Sequence, residues 1–375
     1  MEDGVGDGPN LAETPEAEER SADRFSGLLD LSRIRRGLLV FLVLSGVGFA
    51  LLFLHTGSAA QVRQLGRLRP LYLVLTLAFS LLDMFLGGLR NHVFIREIRP
   101  GMRFWTSFRA NISNVFMGAM TPSQTGGSPA QVFVYYRNGL SIGEGLSIIV
   151  VNYLATIIFF IVSAVFGLRV LSGLGSGTVI TLVAIAFGLF SLQLVLFLFF
   201  LWRPELVEKL LRAVSVWLAK RLHFASRTIR RASGRLVEEL EEFHDACQLF
   251  LRRKPSIFLK SFGLTAVLYF NKFLLAFLVM RGLGIDGSLL QVVAIQALIV
   301  FILYFAPSPG GSGIAELTTG ALMARMVPIA RLGVFTAIQR FFFLYLPAGV
   351  GAVVFLHALG RFAAERAEAR EDGGD

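Results

Sequence analysis

The feature that most constrains this chain is a series of apolar runs, each long enough to cross a bilayer and each followed by a polar connection. Six read as full spans: Gly37–Leu54, Pro70–Arg90, Gly145–Leu168, Thr178–Trp202, Ser256–Met280 and Leu332–Leu356. Crossing the hydrocarbon core takes about 20 residues at about 1.5 Å of rise each, and these runs fit that length. A soluble domain carries about 25% charged residues on amphipathic elements. Here 17% of residues are charged and 54% hydrophobic. The chain reads as an all-α polytopic membrane protein.

Two further apolar regions, 104–137 and 289–327, are interrupted at Thr121–Pro129 and Pro307–Gly313. Proline removes a backbone donor and clashes with the preceding turn, and paired glycines loosen the chain, so neither region sustains one continuous helix. Backbone that leaves the helix at membrane depth survives only where protein or a water-filled cavity satisfies its polar groups. The stretches Thr121–Ser128 and Ala306–Ser312 are similar, each ending in Gly-Gly-Ser, and each is followed by a long span.

Orientation follows from Lys and Arg in the connections. Arg203–Pro255 carries 12 basic residues against 7 acids and is placed in the cytoplasm. The Arg90–Arg103 loop, with four arginines, and the tail bearing Arg361, Arg366 and Arg370 fall on the same side, as do Arg33, Arg35 and Arg36. Only Arg63, Arg67 and Arg69 disagree. The count closes if both interrupted regions are re-entrant, the first entering from the cytoplasm and the second from outside. The units Pro70–Leu168 and Ser256–Leu356 then form an inverted repeat, an arrangement in which transporters hold substrate near the midplane between broken helices.

The expected organisation is therefore as follows. Residues 1–32 form a disordered acidic cytoplasmic tail, since the first 30 residues hold nine carboxylates against two arginines. Residues 33–202 form an N-terminal membrane half with the first re-entrant hairpin (104–137). Residues 203–255 form a basic amphipathic helical segment, which either lies on the inner leaflet or folds as a hairpin. Residues 256–359 form the C-terminal membrane half with the second hairpin (289–327), and 360–375 a charged cytoplasmic tail.

Several classes of chemistry are disfavoured. Cys247 is the single cysteine, which excludes an intramolecular disulfide or a thiolate metal cluster, and the five histidines are dispersed without metal-ligand spacing. No phosphate-binding Gly-x4-Gly-Lys-Ser/Thr loop is present. The arginines cluster between apolar runs, where topology accounts for them without nucleic acid. No cofactor is implied.

Ionisable and amide groups inside spans are costly and mark function. Those at or near the breaks are Thr121, Ser123, Gln124, Gly126, Gly127, Gln131 and Arg137 in the first half. In the second they are Lys272, Pro309, Gly310, Gly311, Ser312, Glu316 and Arg340. Half-helix N-termini would turn unpaired N–H groups toward the cavity, and with Arg137, Arg340 and Lys272 would receive an anionic group such as a lipid phosphate. Gln131 and Glu316 are expected to face each other across this site. Asp83 and Glu316 are the candidates for proton coupling. Each residue has a plainer reading. Arg90, Arg137 and Arg325 can snorkel to the interface, Asp83 and Lys272 can pair to fix packing, and Glu316 can satisfy a backbone N–H at its own helix start.

Thr121-Pro122-x-x-x-Gly126-Gly127-x-Pro129-x-Gln131 and Pro307-x-Pro309-Gly310-Gly311-Ser312-Gly313-x-x-Glu316 resemble the two hallmark stretches of the flippase-like membrane family. This is the transmembrane region shared with lysylphosphatidylglycerol synthases. Where many members have a Pro-Gly-Arg-x-Gly-Glu type of first stretch with a charged residue, this chain has Gln131. The resemblance implies re-entrant helices that move a lipid or lipid-linked headgroup between leaflets, without the synthases' soluble aminoacyltransferase domain. The expected function is lipid transport in the cell (inner or plasma) membrane with both termini cytoplasmic, and no catalysis. The expected partners are anionic membrane lipids and a membrane-associated synthase or glycosyltransferase. The alternatives are an accessory subunit of a lipid or glycan biosynthesis complex and an intramembrane lipid-modifying enzyme.

Overall fold

In the computed structural model of the chain, residues 31–56, 68–170, 177–202 and 239–372 are described. Most of the acidic tail, the connection with Arg63 and Arg67, and residues 203–238 of the basic segment lie outside them. Among the described residues every regular element is helical. In chain order these are α1 Leu31–Thr56, α2 Pro70–Ile98, α3 Phe104–Met120, α4 Gly127–Tyr136, α5 Ile142–Val170 and α6 Gly177–Trp202. A helix over 239–248, α7, runs into a π-helical turn at Leu249–Arg253. Then come α8 Pro255–Gly282, α9 Leu289–Leu303, α10 Ile314–Met323, α11 Ile329–Arg340, a π-helical turn at Phe341–Tyr345 and α12 Leu346–Asp372.

Each of the six apolar runs lies within helix. Among the described residues five stretches are long and apolar enough to cross a membrane: Arg35–Leu54, Pro70–Ile98, Ile142–Val170, Pro255–Gly282 and Ile329–Arg361. Helix α6 carries the apolar stretch Val183–Phe199. Large apolar side chains such as Leu54, Leu71, Val74, Val195 and Val353 face outward, as a hydrocarbon surround requires.

The expected loop Arg90–Arg103 is mostly helix: α2 continues to Ile98, leaving only the turn before Phe104. Arg90, Asn91 and His92 are held by side chains of neighbouring helices. Asn91 accepts a hydrogen bond from Asn152 at 2.8 Å, and Phe94 and Ile95 are wholly buried. Arg90 is thus two turns inside its helix rather than at a span end.

Both interrupted regions are helix–break–helix hairpins. Helices α3 and α4 have 17 and 10 residues around a 3-10 turn at Pro122–Gln124, and α9 and α10 have 15 and 10 around one at Pro309–Gly311. At about 1.5 Å per residue the short arms reach about 15 Å, half the hydrocarbon thickness. The packing is two-fold in pattern. Helix α2 lies along α8, α3 packs on α12 of the other half, and α9 packs on α5 of the other half. The two 3-10 turns meet where these elements cross.

Candidate functional site

Each break is built locally. Thr121 precedes proline and is extended, at φ −118° and ψ 144°, as the proline ring demands of its neighbour. Its hydroxyl donates to Met117 O at 2.7 Å and accepts the Gly126 N–H at 2.8 Å, tying the end of α3 to the start of α4. Thr125 Oγ1 donates to Pro122 O at 3.0 Å. Gly127 lies against Asn114, where an added Cβ would come within 2.9 Å of the Asn114 carbonyl oxygen, so no side chain fits there. Asn114 Nδ2 donates to Gln131 Oε1 at 2.7 Å, and Gln131 Nε2 donates to Tyr135 Oη at 2.8 Å.

The second break is held by two other helices. Glu316 is wholly buried in the first turn of α10. Its Oε2 accepts the Gly313 N–H at 2.6 Å, half of a capping box, and its Oε1 accepts from Arg340 Nε at 3.0 Å. Arg340 Nη2 donates to Gly310 O at 3.1 Å, so one guanidinium spans the break and the carboxylate behind it. From α1, Ser45 Oγ donates to Ser312 Oγ at 2.9 Å, and Gly48 approaches Gly313 so closely that a Cβ would come within 2.9 Å of its Cα.

The two breaks share one backbone course through their 3-10 turns and then diverge: Thr125 is helical (ψ −26°) where Ser312 is extended (ψ 141°), and Gly126 has φ −78° where Gly313 has φ 81°. Pro122, Ser123 and Gln124 answer to Pro309, Gly310 and Gly311, and Gly127–Tyr136 answers to Ile314–Met323. Ser123 and Gln124 have φ of 50° and 57°, Gly310 and Gly311 of 55° and 68°. The Gly-Gly-Ser match in sequence is therefore offset by three residues from the structural equivalence: Gly310 answers to Ser123, not to Gly126. Gln131 answers to Thr318, and Pro129 to Glu316. Gln131 is bonded to Asn114 and Tyr135 of its own hairpin, while Glu316 is bonded to Arg340 and Gly313. The first break also places non-glycine residues in left-handed backbone, at a cost of about 1–2 kcal/mol each. Their side chains, with Pro122 and Thr125, are exposed, whereas Pro309 and Gly311 are buried.

The remaining candidates lie apart from the breaks. Lys272 Nζ on α8 meets Asp83 Oδ2 on α2 at 2.7 Å and sits 4.6 Å from the ring centroid of Phe343 in the π turn. Arg137 caps the C-terminal end of α4, the end remote from its break. Sequence reasoning missed Ser45 and Gln296, the latter accepting from Gln339 Nε2 at 2.8 Å. The signal at Ser45 was its spacing from Gly48, one small face on an otherwise bulky helix. It also missed the π turn that follows Arg340. There the carbonyl of Phe342 accepts the Ser80 hydroxyl at 2.6 Å. Such bulges recur at functional sites.

This is a multi-pass helical membrane protein whose two broken hairpins touch beside a buried, charge-neutral carboxylate–guanidinium pair. Residues 37–351 match the family described as the lysylphosphatidylglycerol synthase TM region. The chain belongs to that family. It is also 24% identical over 316 residues to a UPF0104 membrane protein of Archaeoglobus fulgidus, covering 83% of this chain and 93% of that one.

Proposed function

We propose that this chain is a lipid transporter that moves an anionic lipid or lipid-linked precursor between leaflets at the meeting point of its two broken hairpins. The observation that carries this reading is the contact between the breaks, the second of which is held by Arg340 reaching both Gly310 O and Glu316. Bonds of this kind can be exchanged. An arriving anion competes with Glu316 for the guanidinium, which couples occupancy of the site to the conformation of the second break.

In this reading the hairpins are re-entrant from opposite faces and the two units form an inverted repeat. The repeated arm lengths and the reciprocal packing of α3 on α12 and α9 on α5 support that arrangement. The family's name, taken from synthases of a modified anionic phospholipid, supports a lipid as cargo. The chain would work in the cell membrane with both termini cytoplasmic, without catalysis or cofactor. Its basic segment 203–255 would hold a membrane-associated synthase or glycosyltransferase.

The test is reconstitution of the purified protein in liposomes carrying labelled lipids of several headgroup classes. Transfer of an anionic lipid to the opposite leaflet should accelerate, and Glu316→Gln and Arg340→Ala should abolish the acceleration while remaining folded. No acceleration with any class would refute the proposal.

A further inference from the structure

Two of the three expected cations, Arg340 and Lys272, are each neutralised by a carboxylate of this chain. Arg90, which is outside those three, is not. Arg90 Nη1 donates to Thr156 Oγ1 at 3.0 Å and to Thr265 Oγ1 at 3.3 Å, but its Nε is buried with no partner. Among the described residues no carboxylate lies within ion-pair distance of it. The carboxylate in electrostatic range, Asp83, is already engaged by Lys272. Within electrostatic range of the guanidinium are Tyr269 of α8, Tyr304 at the C-terminal cap of α9 and Tyr135 of α4. Tyr135 Oη accepts from Gln131, which leaves its proton for another acceptor.

Arg90 is therefore held between α5 and α8, in electrostatic range of Tyr135 near the end of the first hairpin's short arm and of Tyr304 at the end of the second hairpin's long arm. An uncompensated charge inside a membrane protein costs several kcal/mol and pairs with something. The groups in reach are donors, the guanidinium N–H and the Tyr135 O–H, while the Tyr304 hydroxyl is engaged with Tyr153. A donor set with net positive charge, open on one nitrogen, is suited to an oxyanion, and the planar fork of arginine matches phosphate oxygens.

We propose that Arg90, with Tyr269 and Tyr135 in electrostatic reach, binds a phosphate group, and that it is a counter-charge for the anionic cargo additional to Arg340. The inference rests on the transport reading only for the phosphate's carrier. Binding is measured without translocation, so either idea can fail while the other stands.

The experiment is a thermal-shift titration of the full chain in neutral detergent with three probes: inorganic phosphate, dioctanoyl phosphatidic acid and dioctanoylglycerol. Wild type should be stabilised by one or both phosphate-bearing probes and not by the diacylglycerol. Response to both assigns the site to the phosphate alone, and response only to phosphatidic acid assigns it to a lipid headgroup. Arg90→Gln should weaken the apparent affinity at least about tenfold, the loss expected for a charge-assisted contact. Arg90→Lys should retain part of the response, and Tyr269→Phe should weaken it while leaving the fold intact. Ligand-free Arg90→Gln should melt at or above the wild-type temperature, because it removes an unpaired charge. The proposal is overturned if no phosphate probe shifts wild type, or if diacylglycerol shifts it equally. It also fails if Arg90→Gln responds as wild type does, or if ligand-free Arg90→Gln is markedly less stable.

Discussion

Replacing Glu316 with glutamine isolates the charge on the buried pair. The carboxylate is wholly buried and sits 3.0 Å from Arg340 Nε and 2.6 Å from the Gly313 nitrogen. Glutamine keeps the shape and retains an acceptor for the Gly313 N–H, so the change falls on Arg340. With charge centres roughly 4 Å apart and an effective dielectric of about 20, the gross attraction is about 4 kcal/mol. Stranding one member of a buried pair costs about 3–5 kcal/mol. Glu316→Gln and Arg340→Gln should each lose that much stability. The double variant replaces the ion pair by two hydrogen-bonding amides and should lose less than the sum of the singles by at least about 2 kcal/mol. The assay is reversible unfolding in mixed micelles, followed by tryptophan fluorescence and far-ultraviolet circular dichroism. Single losses under about 1 kcal/mol, or an additive double variant, would refute the claim that these two groups hold the second break together.

Backbone sign supplies a second test. Gly310→Ala, at φ 55° with Phe41 and Leu344 side chains 3.0 and 3.1 Å from the new Cβ, should cost about 1–2 kcal/mol or more in the same unfolding assay. Gln124→Gly, at φ 57°, should instead stabilise by up to about 1 kcal/mol; a loss there would mean the strain is not carried at that residue. Ser80→Ala removes the donor to Phe342 O and should cost about 1–3 kcal/mol, against less than about 0.5 for the exposed Ser123→Ala. Burial pushes the Cys247 thiol from 9.0 up to about 12. The folded value lies above the unfolded one, so the associated stability is intact below about pH 9 and is lost as pH rises toward 12. Maleimide at pH 8 should therefore label native protein far more slowly than protein unfolded in detergent, and equal rates would contradict the burial.

Much of the architecture is visible in the chain because lipid enforces simple rules: long apolar runs became helices, and Pro with paired Gly became breaks. The Asp83–Lys272 pair was also legible, since two opposite charges buried in spans have few ways to coexist. The register between the breaks was not. Glycine marks left-handed backbone at Gly310 and Gly311, but the equivalent positions are Ser123 and Gln124, so matching glycine to glycine shifts the comparison by one helical turn. The extent of α2 was hidden for a related reason. Hydropathy reads Arg90, Asn91 and His92 as a loop, whereas Thr156, Thr265, Asn152 and Ser107 take up their polar groups inside the protein. The π turn leaves no compositional trace, because Phe341–Tyr345 suits a regular helix equally well.

That turn gives the last span two working directions. In a regular helix Arg340 and Gly351 would project within about 20° of each other, since each residue advances about 100°. One extra residue swings the second part by about 100°. Arg340 can then reach the second break while Gly351 lies against the Ile112 carbonyl of α3, too close for any side chain. The span behaves as a keyed shaft, indexed at one end to each hairpin. Removing a single residue from the π turn would leave hydropathy and length essentially unchanged, yet would put the two ends out of step.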